Sequence, residues 1–303
     1  MHGNGVSLVV GIDGTLGSRL AAALSRFQWP VLGTTRRKTT VTDHRLFLDL
    51  QDIPSAWEPP TTIDVAYLCA GITTLETCRR DPVTTAYLNV DCLCGLIQHL
   101  ITHEAFIVYV SSNLVFDGTT PRNSADVPYS PTTEYGRQKV AVEKFLRSWD
   151  DSWAIVRLTK VLGAQSLLHD WAGMLKRQQP VSPFYDMTVS PVPLAAAISV
   201  LLFIGQGRMP GIWQVSGDGD ISYAEAARIG ARALGVDECL VQPIASTHSG
   251  ENRELVPRYT SLKTERLHSE LGLSIPPVAW TIHTAFTCPT RLNGTLARQQ
   301  GER

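Results

Sequence analysis

The 303-residue chain lacks a net electrostatic bias: 27 Lys and Arg stand against 28 Asp and Glu, a formal charge of −1. It therefore offers no overall field that would recommend nucleic acid or an anionic membrane surface as partner. Long apolar runs are also missing. The longest late stretch, 192–204, is broken by Pro193 and Ser199 and falls short of the ~20 residues a membrane-spanning helix needs. Residues 1–7 contain no Lys or Arg, and the apolar run that follows is only a strand long, so no signal peptide is expected. The six cysteines form no Cys-x-x-Cys pair and show no metal-ligand spacing. They are read as free core thiols in a reducing compartment, which implies a cytoplasmic protein without a metal site. Internal repeats and low-complexity segments are absent.

What is present is alternation. Short apolar runs at 7–10, 31–35, 46–50, 65–69, 106–111 and 154–158 have the length of buried strands. Helical spacing fills the gaps: Leu16, Leu20, Ala21 and Leu24 after the first run, 83–101 after the fourth, and 132–149 before the sixth. Ser130 or Thr132 is expected to cap the last of these, with Pro131 in its first turn. Strands alternating with helices predict α/β architecture, a doubly wound parallel sheet whose strand C-termini share the ligand-binding edge. Residues 1–160 are assigned to this dinucleotide-binding domain, with a strand at 212–215 returning to the sheet. Residues 161–290 are assigned mainly to a smaller, partly interleaved substrate domain, with helices at 222–234 and 261–271. Residues 291–303 are read as a flexible tail.

Gly11-Ile12-Asp13-Gly14-Thr15-Leu16-Gly17 joins the first strand to the first helix with GxxGxxG spacing. Such a turn is either merely tight or a cradle in which the backbone approaches a pyrophosphate at the helix N-terminus. Its position between strand and amphipathic helix selects the second reading. Asp13 is an odd neighbour for phosphate oxygens and is expected to bond N–H groups of the loop. Where NAD sites usually offer a carboxylate to the ribose, this chain has Thr34-Thr35-Arg36-Arg37-Lys38. The cations are either a solvated turn or a fork for a 2′-phosphate, and the missing carboxylate favours NADP, with NAD the alternative.

Tyr135-Gly136-Arg137-Gln138-Lys139 puts Tyr135 and Lys139 on one helix face. A nearby ammonium lowers a phenol's pKa, which is expected to bring Tyr135 toward neutrality and let it exchange a proton with a carbonyl or alcohol. Twenty-three residues earlier a strand ends in Ser111-Ser112, and Ser112 could hydrogen-bond the reacting oxygen.

Taken in order, GxxGxxG, Asp49-Leu50, Cys69-Ala70-Gly71, Ser111-Ser112 and Tyr135…Lys139 resemble the short-chain dehydrogenases/reductases. Glycine spacing and length resemble the extended branch, a two-domain Rossmann fold. The run from Ser112 through Asn113, Leu114, Val115, Phe116 and Asp117 to Gly118, with Tyr135–Lys139 and Ser216-Gly217, most resembles the dTDP-4-dehydrorhamnose reductase group. The resemblance covers roughly residues 6–285. It implies a catalytic triad of Ser112, Tyr135 and Lys139, with Lys139 also on the nicotinamide ribose. It places Asp49 and Leu50 at the adenine and Cys69, Ala70 and Gly71 at the cofactor ribose. Asn89 is then either a supporting, water-holding asparagine or an ordinary surface amide. A homodimer paired through helices is a further implication.

Two departures fall on the substrate side. The rhamnose reductases usually carry Asp-Tyr after the catalytic hydroxyl, where this chain has Asn113-Leu114, and a tryptophan after the sixth strand, where it has Lys160. Asn113 and Lys160 are thus candidate substrate contacts; Lys160 faces either a carboxylate or phosphate on the ligand or an internal acid. Without an Asp-Glu pair beside Ser112, 4,6-dehydration is disfavoured. Trp171 and Lys176 are either near the nucleotide or a packed aromatic and a surface charge. The leading expectation is an NADP-dependent ketoreductase for a nucleotide-linked sugar. The alternatives are a 4-epimerase that keeps its NAD bound and a regulatory subunit that binds nucleotide without turnover.

Overall fold

The computed structural model describes residues 5–51, 57–249 and 257–293; most of the tail expected at 291–303 lies outside them. From the N-terminus come β1 (Val6–Val10), α1 (Thr15–Arg26), β2 (Val31–Thr35), β3 (Arg45–Phe47), β4 (Ile63–Leu68), α2 (Leu75–Arg80) and α3 (Pro82–Ala86). A π-helical stretch, Tyr87–Cys92, leads into α4 (Leu93–Thr102), then β5 (Phe106–Ser112), α5 (Glu134–Leu146) and β6 (Trp153–Leu158). The rest comprises β7 (Lys160–Leu162), α6 (Leu167–Lys176), β8 (Thr188–Val189), β9 (Pro191–Pro193), α7 (Leu194–Gln206), β10 (Gly211–Val215), β11 (Ile221–Ser222), α8 (Tyr223–Leu234), α9 (Glu265–Leu271) and α10 (Val278–Thr287).

Seven strands form one sheet in the order β10-β6-β5-β4-β1-β2-β3, with parallel register from β3 through β5. The order runs outward in both directions from the β1–β4 pair, so the crevice above their C-termini is where a doubly wound sheet takes its ligand. The doubly wound, Rossmann-type sheet expected from the sequence is the one found, and the C-terminal part carries two further two-stranded sheets, β11-β8 and β7-β9.

By contact density the chain divides into two compact units. The first is Met1–Val115, Tyr129–Arg157 and Val200–Trp213; the second is Phe116–Pro128, Leu158–Ser199 and Gln214–Arg303. The first unit's core is built by inward strand residues such as Leu8, Val10, Ala66, Leu68, Ile107 and Tyr109 against Leu93, Leu96, Ile97 and Leu100 of α4. In α1 the buried residues are Gly17, Leu20, Ala21 and Leu24, close to the stripe read from the spacing. The second unit gathers Leu168, Trp171, Leu175, Ala227, Ile282 and Phe286 into its own core. Among the described residues no helix is long and apolar enough to cross a membrane.

Several boundaries differ from the sequence reading, for local reasons. The third strand stops at Phe47; Leu48 N–H still reaches the Thr35 carbonyl at 3.0 Å before the chain turns. The single helix expected at 83–101 is broken into α3, the π stretch and α4. Helix α5 starts two residues late, because Thr133, rather than Ser130 or Thr132, accepts the capping bond from Gly136 N–H at 3.0 Å. Pro131 therefore precedes the helix. The late helix begins at Glu265 instead of 261.

Candidate active site

The glycine-rich turn is held against β2 by two bonds. Gly11 N–H donates to Thr34 Oγ1 (3.1 Å), and Ile12 N–H to the Thr34 carbonyl (3.1 Å). Gly11 has φ +89°, and a Cβ there would lie 2.9 Å from the backbone of Ala70. Only glycine lets this turn and the β4 exit approach so closely. Helix α1 is preceded at its N-terminus by Gly14, which offers no side-chain cap, and has no acidic residue in its first turn. Its N-terminal N–H groups are thus left for an external anion.

A cavity of about 400 Å³ opens over this edge, lined by Gly11, Asp13 and Gly14, by Thr34 to Arg37, by Leu48 to Leu50, by Cys69 to Ile72, and by Leu88 and Asn89. It thus brings Gly11, Gly14, Arg36, Arg37, Asp49, Leu50, Cys69, Ala70 and Gly71 together from four strand ends. Thr15, Leu16 and Gly17 form the first turn of α1 beside it. A pyrophosphate-bridged dinucleotide fits this donor set: an uncapped helix start, a turn with no side chain at Gly11 or Gly14, and two arginines at the far corner.

Asp13 departs from expectation. Its carboxylate takes the Thr35 hydroxyl (2.7 Å) and pairs with the Arg45 guanidinium, and Arg37 Nε lies 4.0 Å away. These partners are a hydroxyl and cations rather than loop N–H groups. Burial raises the Asp13 pKa, but the Thr35 bond and the charges of Arg45 and Arg37 outweigh it, holding the acid below its ordinary value. The corner at the end of β2, which has no acid of its own, thus receives one from the glycine loop.

At the other end, β5 delivers Ser112 and α5 delivers Tyr135 and Lys139. Lys139 Nζ donates to the Val110 carbonyl at 2.9 Å and lies over the rings of Tyr109 (4.7 Å) and Tyr135 (5.4 Å). A side chain at Gly136 would strike the Leu114 carbonyl, so glycine beside Tyr135 is what lets α5 close on the turn after Ser112. Ser112 Oγ accepts from Leu114 N–H (3.2 Å) and donates to Asn113 Oδ1 (3.4 Å). Among the described residues Ser112 and Tyr135 make no direct hydrogen bond. Burial lowers the Lys139 pKa to about 8, with Glu143 pulling it back up. Burial also raises the Tyr135 phenol above its usual value, with the Cys78 thiol adding in the same direction; this is the opposite of the shift expected from a neighbouring ammonium, because desolvation disfavours the phenolate.

Asn89 sits in the π stretch and is buried. Its Oδ1 accepts from Ile72 N–H (2.8 Å), while Nδ2 donates to the Ile72 carbonyl (2.9 Å) and to Gln138 Oε1 (2.8 Å). Gln138 Nε2 continues to Thr85 Oγ1 at 2.9 Å. Asn89 is therefore no surface amide; its side chain clamps the β4–α2 loop to the helix carrying Tyr135. Beneath lies a fully buried pair. Glu143, one turn after Lys139, takes Arg157 Nη2 (2.7 Å), Ser111 Oγ (2.5 Å) and Tyr129 Oη (3.0 Å). The sequence reading missed it, although a cation inside the apolar strand Trp153–Leu158 was a signal.

The remaining candidates lie apart in the chain. Asn113 belongs to the first unit and Lys160 to the second, where Lys160 is exposed on β7 and lines a small cleft with Tyr223, Leu167 and Pro191. Trp171 is buried edge-on to Tyr223 at 6.2 Å, and Lys176 is exposed; both follow the packing reading. Among the described residues no group of three His, Cys, Asp or Glu could hold a metal ion.

Residues 6–287 match the RmlD substrate binding domain family. The chain is 29% identical to a dTDP-4-keto-6-deoxy-D-glucose reductase of Streptomyces niveus, over 92% of this chain and 94% of that one. Its fold is similar to a dTDP-4-dehydrorhamnose reductase from Clostridium acetobutylicum (TM-score 0.79, 19% identity, 92% of this chain and 98% of the other). It is equally similar to the Bacillus anthracis reductase in complex with NADP (TM-score 0.78, 19% identity, 93% and 98%). A glycine-cradled cavity at the switch of a doubly wound sheet, a Tyr-x-x-x-Lys helix beside a serine-ended strand, and a match across almost the whole length converge. The chain belongs to the RmlD substrate-binding domain family, the dTDP-4-dehydrorhamnose reductase-like group of the extended short-chain dehydrogenases/reductases.

Proposed function

We propose that the protein is an NADP-dependent ketoreductase acting on a nucleotide-linked sugar, with Ser112, Tyr135 and Lys139 as its catalytic residues. The observation that carries this reading is the placement of Tyr135 on the helix that closes over the end of β5, with Lys139 Nζ 5.4 Å from the centre of its ring. A phenol that keeps its proton at neutral pH suits proton delivery to a carbonyl oxygen, the reductive direction. NADPH, when bound, would supply the hydride that reaches the carbonyl carbon. Tyr135 Oη gives its proton to the carbonyl oxygen, Ser112 Oγ donates a hydrogen bond to the same atom, and the C=O becomes a carbinol. Lys139 holds the nicotinamide ribose and restores the phenol's proton.

In this reading Gly11, Gly14, Thr15, Leu16 and Gly17 hold the pyrophosphate, Arg36 and Arg37 the 2′-phosphate, Asp49 and Leu50 the adenine, and Cys69, Ala70 and Gly71 the ribose. The first unit carries the cofactor; Asn113, next to Ser112, and Lys160, on β7, are each candidate contacts for a sugar nucleotide. The charge of Lys160 suits a carboxylate or phosphate on that ligand, since its side chain is exposed on β7. Exposed Val83 and Tyr87 suit pairing into a homodimer. The protein works in the cytoplasm.

The test is native mass spectrometry of the freshly purified protein, followed by assay. A reductase should carry no stoichiometric nicotinamide cofactor through purification and should depend on added NADPH. Retained NAD with turnover independent of added cofactor would replace this reading with the epimerase.

A further inference from the structure

The corner that would receive the adenosine ribose holds opposing charges. Arg36 and Arg37 line it, but so does Asp13, whose carboxylate bonds the Thr35 hydroxyl and stands 4.0 Å from Arg37 Nε. Behind Asp13 lies Arg45, half-buried on β3, which pairs with the same carboxylate. Its Nε is buried without a hydrogen-bond partner, so the Asp13 carboxylate is its charge partner here. Arg45 does not line the cavity. The chain has therefore put an acid in the NADP corner and partly neutralised it from behind.

We propose that Asp13 is a specificity-determining residue for the cofactor: it competes with a 2′-phosphate for Arg37 and offers an acceptor to a free 2′-hydroxyl, while Arg45 sets how strongly it does so. The inference rests on the reading of this cavity as the dinucleotide site. The physical argument is one of sign. A 2′-phosphate brings about two negative charges beside a carboxylate, and like charges at contact disfavour each other. A 2′-hydroxyl instead donates a hydrogen bond to that carboxylate, the interaction NAD sites obtain from an acid at the end of the second strand. The two arginines then favour NADPH and Asp13 favours NADH, so the preference is a narrow balance.

Calorimetric titration of NADPH and NADH into the wild type, Asp13→Asn, Arg45→Met and the Arg36→Ala/Arg37→Ala pair tests this without turnover. Asp13→Asn keeps an acceptor for Thr35 and removes the charge; it should raise the NADPH:NADH affinity ratio roughly fivefold, the size of a partly screened charge contact. Arg45→Met keeps the buried stem and unmasks Asp13, so it should lower the ratio by about as much. The arginine pair should weaken NADPH selectively. A ratio unchanged or lowered in Asp13→Asn, or raised in Arg45→Met, overturns the role of Asp13. Wild-type protein that binds neither cofactor overturns the reading of the cavity itself. Should Asp13→Asn fail to fold, the sign of the Arg45→Met shift decides.

Discussion

Tyr135→Phe should cut turnover by about 10²-fold or more, the usual size of a lost acid–base contribution, while leaving cofactor affinity near that of the wild type. Phenylalanine keeps the ring that lies under Lys139 Nζ, so the packing of α5 survives and only the transferable proton is removed. The loss should appear in kcat and kcat/KM together, because the bond in question forms only as charge develops on the substrate oxygen. Steady-state kinetics with the reducible sugar nucleotide, paired with NADPH titration, checks both halves. Wild-type turnover in Tyr135→Phe would remove the tyrosine from the mechanism.

The second large effect is on stability. Glu143 and Arg157 are both fully buried, and Glu143 also takes hydroxyls from Ser111 and Tyr129. Glu143→Ala leaves a guanidinium in the core without its counter-charge, which should cost about 3–5 kcal/mol. Chemical denaturation should register this as a lower midpoint with little change in slope. Glu143→Leu combined with Arg157→Leu should lose less than the sum of the single changes, since removing both leaves no unpaired charge in the core. A loss below about 1 kcal/mol in Glu143→Ala would be that of an exposed pair and would contradict the burial assigned here. Glu143 lies one turn beyond Lys139, so the network also ties the Tyr135–Lys139 helix to β5 and β6.

The sequence reading reached the parts whose signals are local. The strand–turn–helix of Gly11–Gly17, the Tyr135–Lys139 face and the serine-ended strand each need only a few neighbouring residues, and the strand alternation then sets the architecture. Interactions between distant segments were the ones missed. The partner of Asp13 that β3 supplies lies 32 residues away, and Glu143 meets Arg157 across a helix and a turn. Helix α7 shows in the sequence only as an apolar stretch because it is buried almost all round, leaving no polar face to give a period. The π stretch at Asn89 is a shift in backbone hydrogen bonding that side-chain spacing does not encode. At Tyr135 the motif displays proximity to a cation but not desolvation, so the shift expected from the sequence and the one set by burial differ in direction.

Isotope tracing tests hydride transfer to a sugar carbonyl directly. NADPH bearing deuterium at the transferable C4 position would be incubated with a panel of dTDP-, UDP- and GDP-linked 4-keto-6-deoxyhexoses, and the products read by mass spectrometry. For at least one member, each NADP⁺ formed should be matched by one deuterium on the new carbinol carbon, and Tyr135→Phe should suppress both signals together. Interconversion of sugars without net NADPH oxidation, or the absence of deuterium from every product, would contradict the account.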